Sequence, residues 1–162
     1  LKSKYNNLLT ILIPRHVNRS QSITNELNNI DLKIITRSSK KKISKSTDIY
    51  IADTYGEASK FYQLSNIVFV GGSLVPHGGQ NPLEPARIGN YILHGPNIHN
   101  FKEVYSMLSK LKISSKANNV LNMKKIINKK IKYKQPIKVS QKLNLLGNNI
   151  LEKNLNEINK YL

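Results

Sequence analysis

The sequence predicts an α/β fold, a parallel sheet with flanking helices followed by a helical tail. Three observations predict it. Short apolar runs of strand length recur through the first 110 residues. Segments with helical spacing lie between them, and strand alternating with helix argues for a parallel sheet. Gly, Pro or a polar cluster closes most of the runs, as turns require.

Leu8-Leu9-Thr10-Ile11-Leu12-Ile13 is almost wholly apolar and is closed by Pro14. A strand of that pattern must be covered on both faces, as in a parallel sheet. Residues 19–29 have weak helical spacing. Leu32-Lys33-Ile34-Ile35-Thr36 reads as a second strand, residues 37–46 as a basic, Ser-rich loop, and Asp48-Ile49-Tyr50-Ile51-Ala52 as a third strand. Ala58, Phe61, Tyr62 and Leu64 share one helical face. Ile67-Val68-Phe69-Val70 is a fourth strand, stopped by Gly71-Gly72. A helix is expected from Pro82. Tyr91-Ile92-Leu93-His94 is a fifth strand, stopped by Gly95-Pro96, and another helix covers about 101–111. In the last 45 residues Leu151, Leu155, Ile158 and Leu162 fall at i, i+4, i+7 and i+11, an amphipathic helix, and Ile127 with Ile131 suggests a further one. The expected division is a nucleotide-binding α/β domain over 1–115 and a helical extension over 116–162 that packs on it.

Length and charge bound the function. A chain of 162 residues holds one domain with a sizeable core. With 26 basic and 9 acidic residues its formal charge is +17, which suits an anionic partner: nucleic acid, an acidic membrane surface or a phosphorylated substrate. The absence of cysteine excludes a disulfide scaffold and thiolate metal sites. No run approaches the roughly 20 apolar residues that span a bilayer. The chain opens on Leu rather than Met and runs almost at once into a strand, so it is expected to be a fragment or the tail of a longer protein.

Ligands of open parallel sheets bind beyond the carboxyl ends of the strands. Those positions carry the unusual residues: Pro14-Arg15-His16, Asp53-Thr54-Tyr55-Gly56-Glu57, Gly71-Gly72-Ser73, Gly78-Gly79-Gln80-Asn81-Pro82-Leu83-Glu84-Pro85 and Gly95-Pro96-Asn97. Gly78-Gly79 can bring backbone N–H groups close to a ligand. Asn81 suits an N-cap, Pro82 the first helical position, and Glu84 the third position after the cap. A helix start of that kind favours an anion such as phosphate. Glu84 either closes a capping box or accepts hydrogen bonds from ribose hydroxyls. Arg15 can pair with a phosphate or carboxylate in bidentate fashion. His16 reads as a hydrogen-bonded turn residue. Asp53 and Glu57 read as binders of a hydroxyl or a base edge rather than as an acid/base pair. His77, His94 and His99 lack zinc spacing, so no metal site is expected. The runs Lys40-Lys41-Lys42 and Lys129-Lys130 are solvated faces able to meet anionic lipid.

Taken together, in this order and spacing, these motifs resemble the Kdo (3-deoxy-D-manno-octulosonic acid) transferases of lipopolysaccharide synthesis, over residues 8–111. The resemblance implies the C-terminal half of a GT-B glycosyltransferase, a Rossmann-like domain whose first strand is missing here. It implies a donor, CMP-Kdo, and an acceptor, a lipid A precursor (lipid IVA), held by an N-terminal domain that also carries the membrane anchor and the general base. By the same resemblance Pro14, Arg15, Tyr55, Gly56, Glu57, Asn81, Pro82, Leu83 and Glu84 contact CMP. Gly71, Gly72, Ser73, Gly78 and Gly79 are placed for the phosphate or Kdo. No catalytic residue and no cofactor is expected in this chain. It is expected to be inactive alone, at the cytoplasmic face of the inner membrane, near an anionic surface. Two positions depart from the family: Tyr55 stands where Met is usual, and Gln80 where His is usual. Gln80 keeps a hydrogen bond but cannot act as an acid at neutral pH. The rival readings are a GT-B domain for another nucleotide sugar, a remnant of a broken gene, and a basic nucleic-acid-binding module. The last is disfavoured because the cations are scattered and no aromatics interleave them.

Overall fold

The structure, a computed structural model, describes residues 1 and 3–161, without the side chains of residues 150, 151 and 153. Leu162 and the Leu151 side chain, both assigned above to the last apolar stripe, lie outside the described residues. The strands are β1 (Thr10–Leu12), β2 (Ile34–Thr36), β3 (Ile49–Ile51), β4 (Ile67–Phe69), β5 (Tyr91–His94) and β6 (Ser114–Lys116). The helices are α1 (Ser20–Leu27), α2 (Ala58–Gln63), α3 (Leu83–Ile88), α4 (Lys102–Lys110), α5 (Val120–Lys130) and α6 (Ile137–Ile158). The fold is therefore α/β with parallel sheets and flanking helices, as expected.

The chain divides into two compact units, residues 1–61 and 62–162. A division near residue 115, expected from the change of pattern there, falls inside the second unit. Each unit has its own three-stranded parallel sheet, ordered β1-β3-β2 in unit 1 and β4-β5-β6 in unit 2.

In unit 1 the central strand is β3, and all three of its residues are buried. Its flanking strands pair with it in register, Ile11 and Ile35 both opposite Tyr50. The Tyr50 ring packs on Phe61 at 5.9 Å. Apolar side chains on both faces of β3 account for that burial.

In unit 2 the central strand is β5, buried at all four positions. Val70, Ala86, Ile92, Tyr105, Leu108, Ile113 and Leu143 form the core. The strand β6 escapes an apolar pattern because its sequence is Ser-Ser-Lys. It forms because β5 supplies a partner, with Ile92 opposite Ser114. A polar, charged edge strand of this kind also resists pairing with another chain. The tail is helical, but α6 begins at Ile137, well before the stripe read from the sequence. Its anchor is Leu143, 2% exposed, whereas Leu155 and Ile158 are exposed. Asn119 caps α5 by accepting from the Asn122 N–H at 2.8 Å.

Candidate functional site

Parallel strands end on the same side, so the loops after them gather at one edge of each sheet. Unit 1 brings Pro14–His16 and Asp53–Glu57 to its edge. Asp53 ties three of that unit's segments together. Its carboxylate accepts from the Ser38 backbone N–H at 2.8 Å, the Ser38 hydroxyl at 2.6 Å and the Ser20 hydroxyl at 3.1 Å. Burial pushes this carboxyl up, but the bonds from Ser38 and Ser20 outweigh burial and hold it below its usual range. Asp53 is thus committed to holding the loops, not to a ligand hydroxyl.

Glu57 has a partner that sequence reasoning missed. The Arg37 guanidinium meets its carboxylate in two bonds, at 3.0 and 3.2 Å, and the Thr54 hydroxyl donates to it at 2.5 Å. Thr54-x-x-Glu57 has capping-box spacing, which is the only local signal of this arrangement. Nothing in the Ser-rich loop singles out Arg37 from its neighbouring cations. These bonds, Arg37 first, hold the Glu57 carboxyl at about 2. Because it titrates lower folded than unfolded, the stabilisation is complete above its ordinary 4.5 and is lost as pH falls toward 2. Glu57→Gln is expected to lower the stability of unit 1 at neutral pH and to flatten its decline across that acid window. Urea titrations at neutral and acid pH check this, and an acid limb identical to that of the unaltered chain would refute the pairing.

Two side chains at this edge are open to solvent. Arg15 is exposed and makes no ion pair with any described residue. Tyr55 is 75% exposed, beside Gly56 at φ +78°. An exposed ring can stack on a base, and an exposed guanidinium can pair with a phosphate. His16 is exposed and its carbonyl accepts from the Arg19 N–H at 3.1 Å, a turn role.

At the edge of unit 2, Ser73 is fully buried. Its hydroxyl donates to the Val70 carbonyl at 2.7 Å and accepts from the Gly95 N–H at 2.8 Å. It fastens the end of β4 to the end of β5, and the backbone N–H groups of Gly71 and Gly72 donate to no described residue. The paired glycines 78 and 79 are also buried. Both have positive φ, and a Cβ on Gly78 would collide with the side chains of Asn100 and His99. The Gly79 N–H is taken by the Gly72 carbonyl at 3.0 Å. These glycines permit close packing against the segment after β5, and of the two backbone donors the Gly79 N–H is engaged within the chain.

Pro82, not Asn81, takes the N-cap position of the next helix, and the Asn81 side chain turns the chain into it by accepting from the Leu83 N–H at 3.0 Å. The helix α3 starts at Leu83, one residue later than expected, and has six residues. Glu84 closes no capping box. Its carboxylate is exposed and accepts no hydrogen bond from a described residue. Between these motifs, the Tyr105 hydroxyl donates to the Gln80 carbonyl at 3.1 Å. Tyr105 was absent from the sequence-level candidates because it looks like one more core aromatic. His94 is buried, its Nδ1 bonded to the Gly95 carbonyl at 2.7 Å, and burial pushes its imidazole down. Among the described residues no three His, Cys, Asp or Glu side chains are grouped to hold a metal. No helix of the described residues is long and apolar enough to cross a membrane.

No family model matches the chain. It is 40% identical over 108 residues to a 3-deoxy-D-manno-octulosonic acid transferase of Haemophilus influenzae, covering 67% of this chain and 25% of that protein. It is 30% identical over 178 aligned residues to the transferase of the same name from Rickettsia conorii, covering 100% of this chain and 36% of that protein. The chain thus spans about a quarter to a third of these relatives. Among solved structures, the C-terminal CMP-Kdo binding domain of WaaA from Acinetobacter baumannii superposes with a TM-score of 0.76 at 29% identity, covering 88% of this chain and 74% of that one.

Proposed function

Because the chain belongs to the 3-deoxy-D-manno-octulosonic acid transferases, as a homologue of their C-terminal domain, we propose that it holds CMP-Kdo for transfer to a lipid A precursor in lipopolysaccharide synthesis. The observation that carries this reading is the likeness, across 88% of the chain, to a solved CMP-Kdo binding domain. In unit 1, Arg15 is assigned to the CMP phosphate, Tyr55 to the base, and Pro14 with the Gly56–Glu57 backbone to the nucleotide. The Glu57 side chain is already engaged by Arg37. In unit 2, Asn81, Pro82, Leu83 and the free Glu84 carboxylate are assigned to CMP, Glu84 to the ribose hydroxyls. Gly71 and Gly72 are assigned to the phosphate or the Kdo carboxylate.

The reaction this implies is attack of an acceptor hydroxyl on the anomeric carbon, with CMP leaving. A carboxylate outside these residues removes the hydroxyl proton. The share of this chain is to orient the donor and to stabilise the charge that develops on the leaving phosphate. Acceptor, anchor and general base are assigned to the remainder of a full-length transferase, at an anionic, cytoplasmic face of the inner membrane.

Calorimetry on the 162-residue chain tests this. CMP is expected to bind weakly and UDP more weakly still. Arg15→Ala is expected to reduce CMP affinity about tenfold or more, the loss of one charge-assisted pair. Equal affinity for CMP and UDP would overturn the donor assignment. Turnover of CMP-Kdo and a lipid A precursor by the purified chain would overturn the absence of a catalytic base.

A further inference from the structure

Within unit 2, a cavity of about 720 Å³ lies between α3, α4 and α6. Leu83, Ile88, Val104, Met107, Leu143 and Leu146 supply its apolar wall. Gly71, Ser73 and Gly95 do not line it, but Asn81, Leu83 and Glu84, assigned above to CMP, stand at its α3 side, so the two sites adjoin there. Its size lies within the roughly 300–1,000 Å³ of small-molecule sites. A feature of α6 makes the space. Gly147 sits in the interior of that helix, where glycine costs about 1 kcal/mol relative to alanine. A Cβ there would come within 3.3 Å of the Arg87 guanidinium carbon.

A second, shallower depression adjoins the first and shares Glu103 and Met107 with it. It is lined by Lys102, Lys110 and Lys142. Arg87 stands at the first cavity, as do two acids, Glu84 and Glu103. Cations outnumber acids around the pair. An apolar hollow beside a group of lysines is complementary to an amphiphile with an apolar chain and an anionic head. Long lysine side chains can lie along the apolar surface while their ammonium groups meet the headgroup.

We propose that this cavity takes an acyl chain of an anionic phospholipid from a bilayer, with Lys102, Lys110 and Lys142 against the headgroup. The proposal rests on the anionic-surface part of the reading above, and gives that surface a place on the chain. It does not depend on the identity of the nucleotide.

Vesicles made of equal parts phosphatidylglycerol and phosphatidylcholine test it by co-sedimentation with the full chain. Leu146 lines the cavity, whereas its neighbour Leu145 on α6 does not and is 61% exposed. Leu146→Glu and Leu145→Glu make the same change of charge. Leu146→Glu is expected to lower vesicle binding about tenfold further than Leu145→Glu, because only the former puts a carboxylate in the chain's path. In the unaltered chain, a photoreactive diazirine on the lipid acyl chain is expected to crosslink to residues of the cavity wall, Met107 and Leu146 foremost. That measurement needs no variant and so does not depend on how the variants fold. Equal losses in the two variants, or crosslinks confined to residues outside the cavity, would overturn the cavity while leaving surface attraction by charge intact. Absence of binding to these vesicles would overturn both. CMP calorimetry on the Leu146→Glu sample, whose change lies on α6 away from the shared residues of α3, reports whether the donor site is intact.

Discussion

Gly95→Ala is expected to destabilise unit 2 by about 3 kcal/mol or more, among the largest effects of any single methyl in this chain. Gly95 does not have a positive φ, so the cost is not conformational. It is one of approach. A Cβ at this position would lie 2.6 Å from the Ser73 carbonyl carbon and 2.8 Å from the Leu74 N. Both are backbone atoms, and no rotamer change can move them aside. The displaced strand would also break the bond from the Gly95 N–H to the buried Ser73 hydroxyl. That hydroxyl would lose an acceptor role in a place water does not reach, which adds a desolvation cost of about 1–3 kcal/mol. Hydrogen exchange followed by mass spectrometry should show the loss in peptides that span β4 and β5, with those of β1 and β3 little changed. Gly56→Ala is the control. Gly56 has φ +78° but open space around a new Cβ, so its cost is the left-handed backbone alone, about 1 kcal/mol. If Gly95→Ala were no worse than Gly56→Ala, close approach would not be what requires glycine after β5.

Where the sequence was legible, the reason is periodicity. The motif Tyr91–His94 becomes a strand buried at every position, as its apolar run requires. The run Leu8–Ile13 also becomes a strand, but at the edge of its sheet, where Thr10 is exposed and Ile11 and Leu12 are half-buried rather than covered on both faces. Strand-end glycines and prolines then mark where the strands stop without reference to any structure. Where the sequence was silent, the determinants are tertiary. Ser114-Ser115-Lys116 becomes β6 through its neighbour rather than through its own preference. The partner of Glu57 is Arg37, 20 residues away among other cations, and no local pattern distinguishes it. Gly78 and Gly79 have the residue type of a ligand-facing turn. Their packing against Asn97–Asn100 is a further demand that the residue type does not announce, since a Cβ on Gly79 would sit 3.2 Å from the Asn97 carbonyl oxygen. The apolar stripe at the end of the chain does not reveal the start of α6, because Leu143, deeply buried, stands outside that stripe.

Tyr105 links that core to the loop before α3, and Tyr105→Ala is expected to cost about 3–5 kcal/mol. The side chain is 1% exposed and packs on His94, ring to ring at 4.4 Å. Its removal leaves a cavity in the middle of the core between α4 and β5. The hydroxyl has a second task. It donates to the Gln80 carbonyl, one residue before Asn81, whose side chain accepts from the first N–H of α3. Burial pushes this phenol up to about 12, so it remains a donor across the accessible pH range. Tyr105→Phe separates the two tasks. It keeps the packing and loses only the hydrogen bond, about 1 kcal/mol of stability. If the bond sets the position of Asn81–Glu84, Tyr105→Phe should weaken CMP binding more than its small stability loss would suggest, in the same calorimetry that tests Arg15. Full CMP affinity in Tyr105→Phe would confine the hydroxyl to a structural role. Equal destabilisation by phenylalanine and alanine would mean that the Gln80 contact, rather than the ring, holds this part of the core.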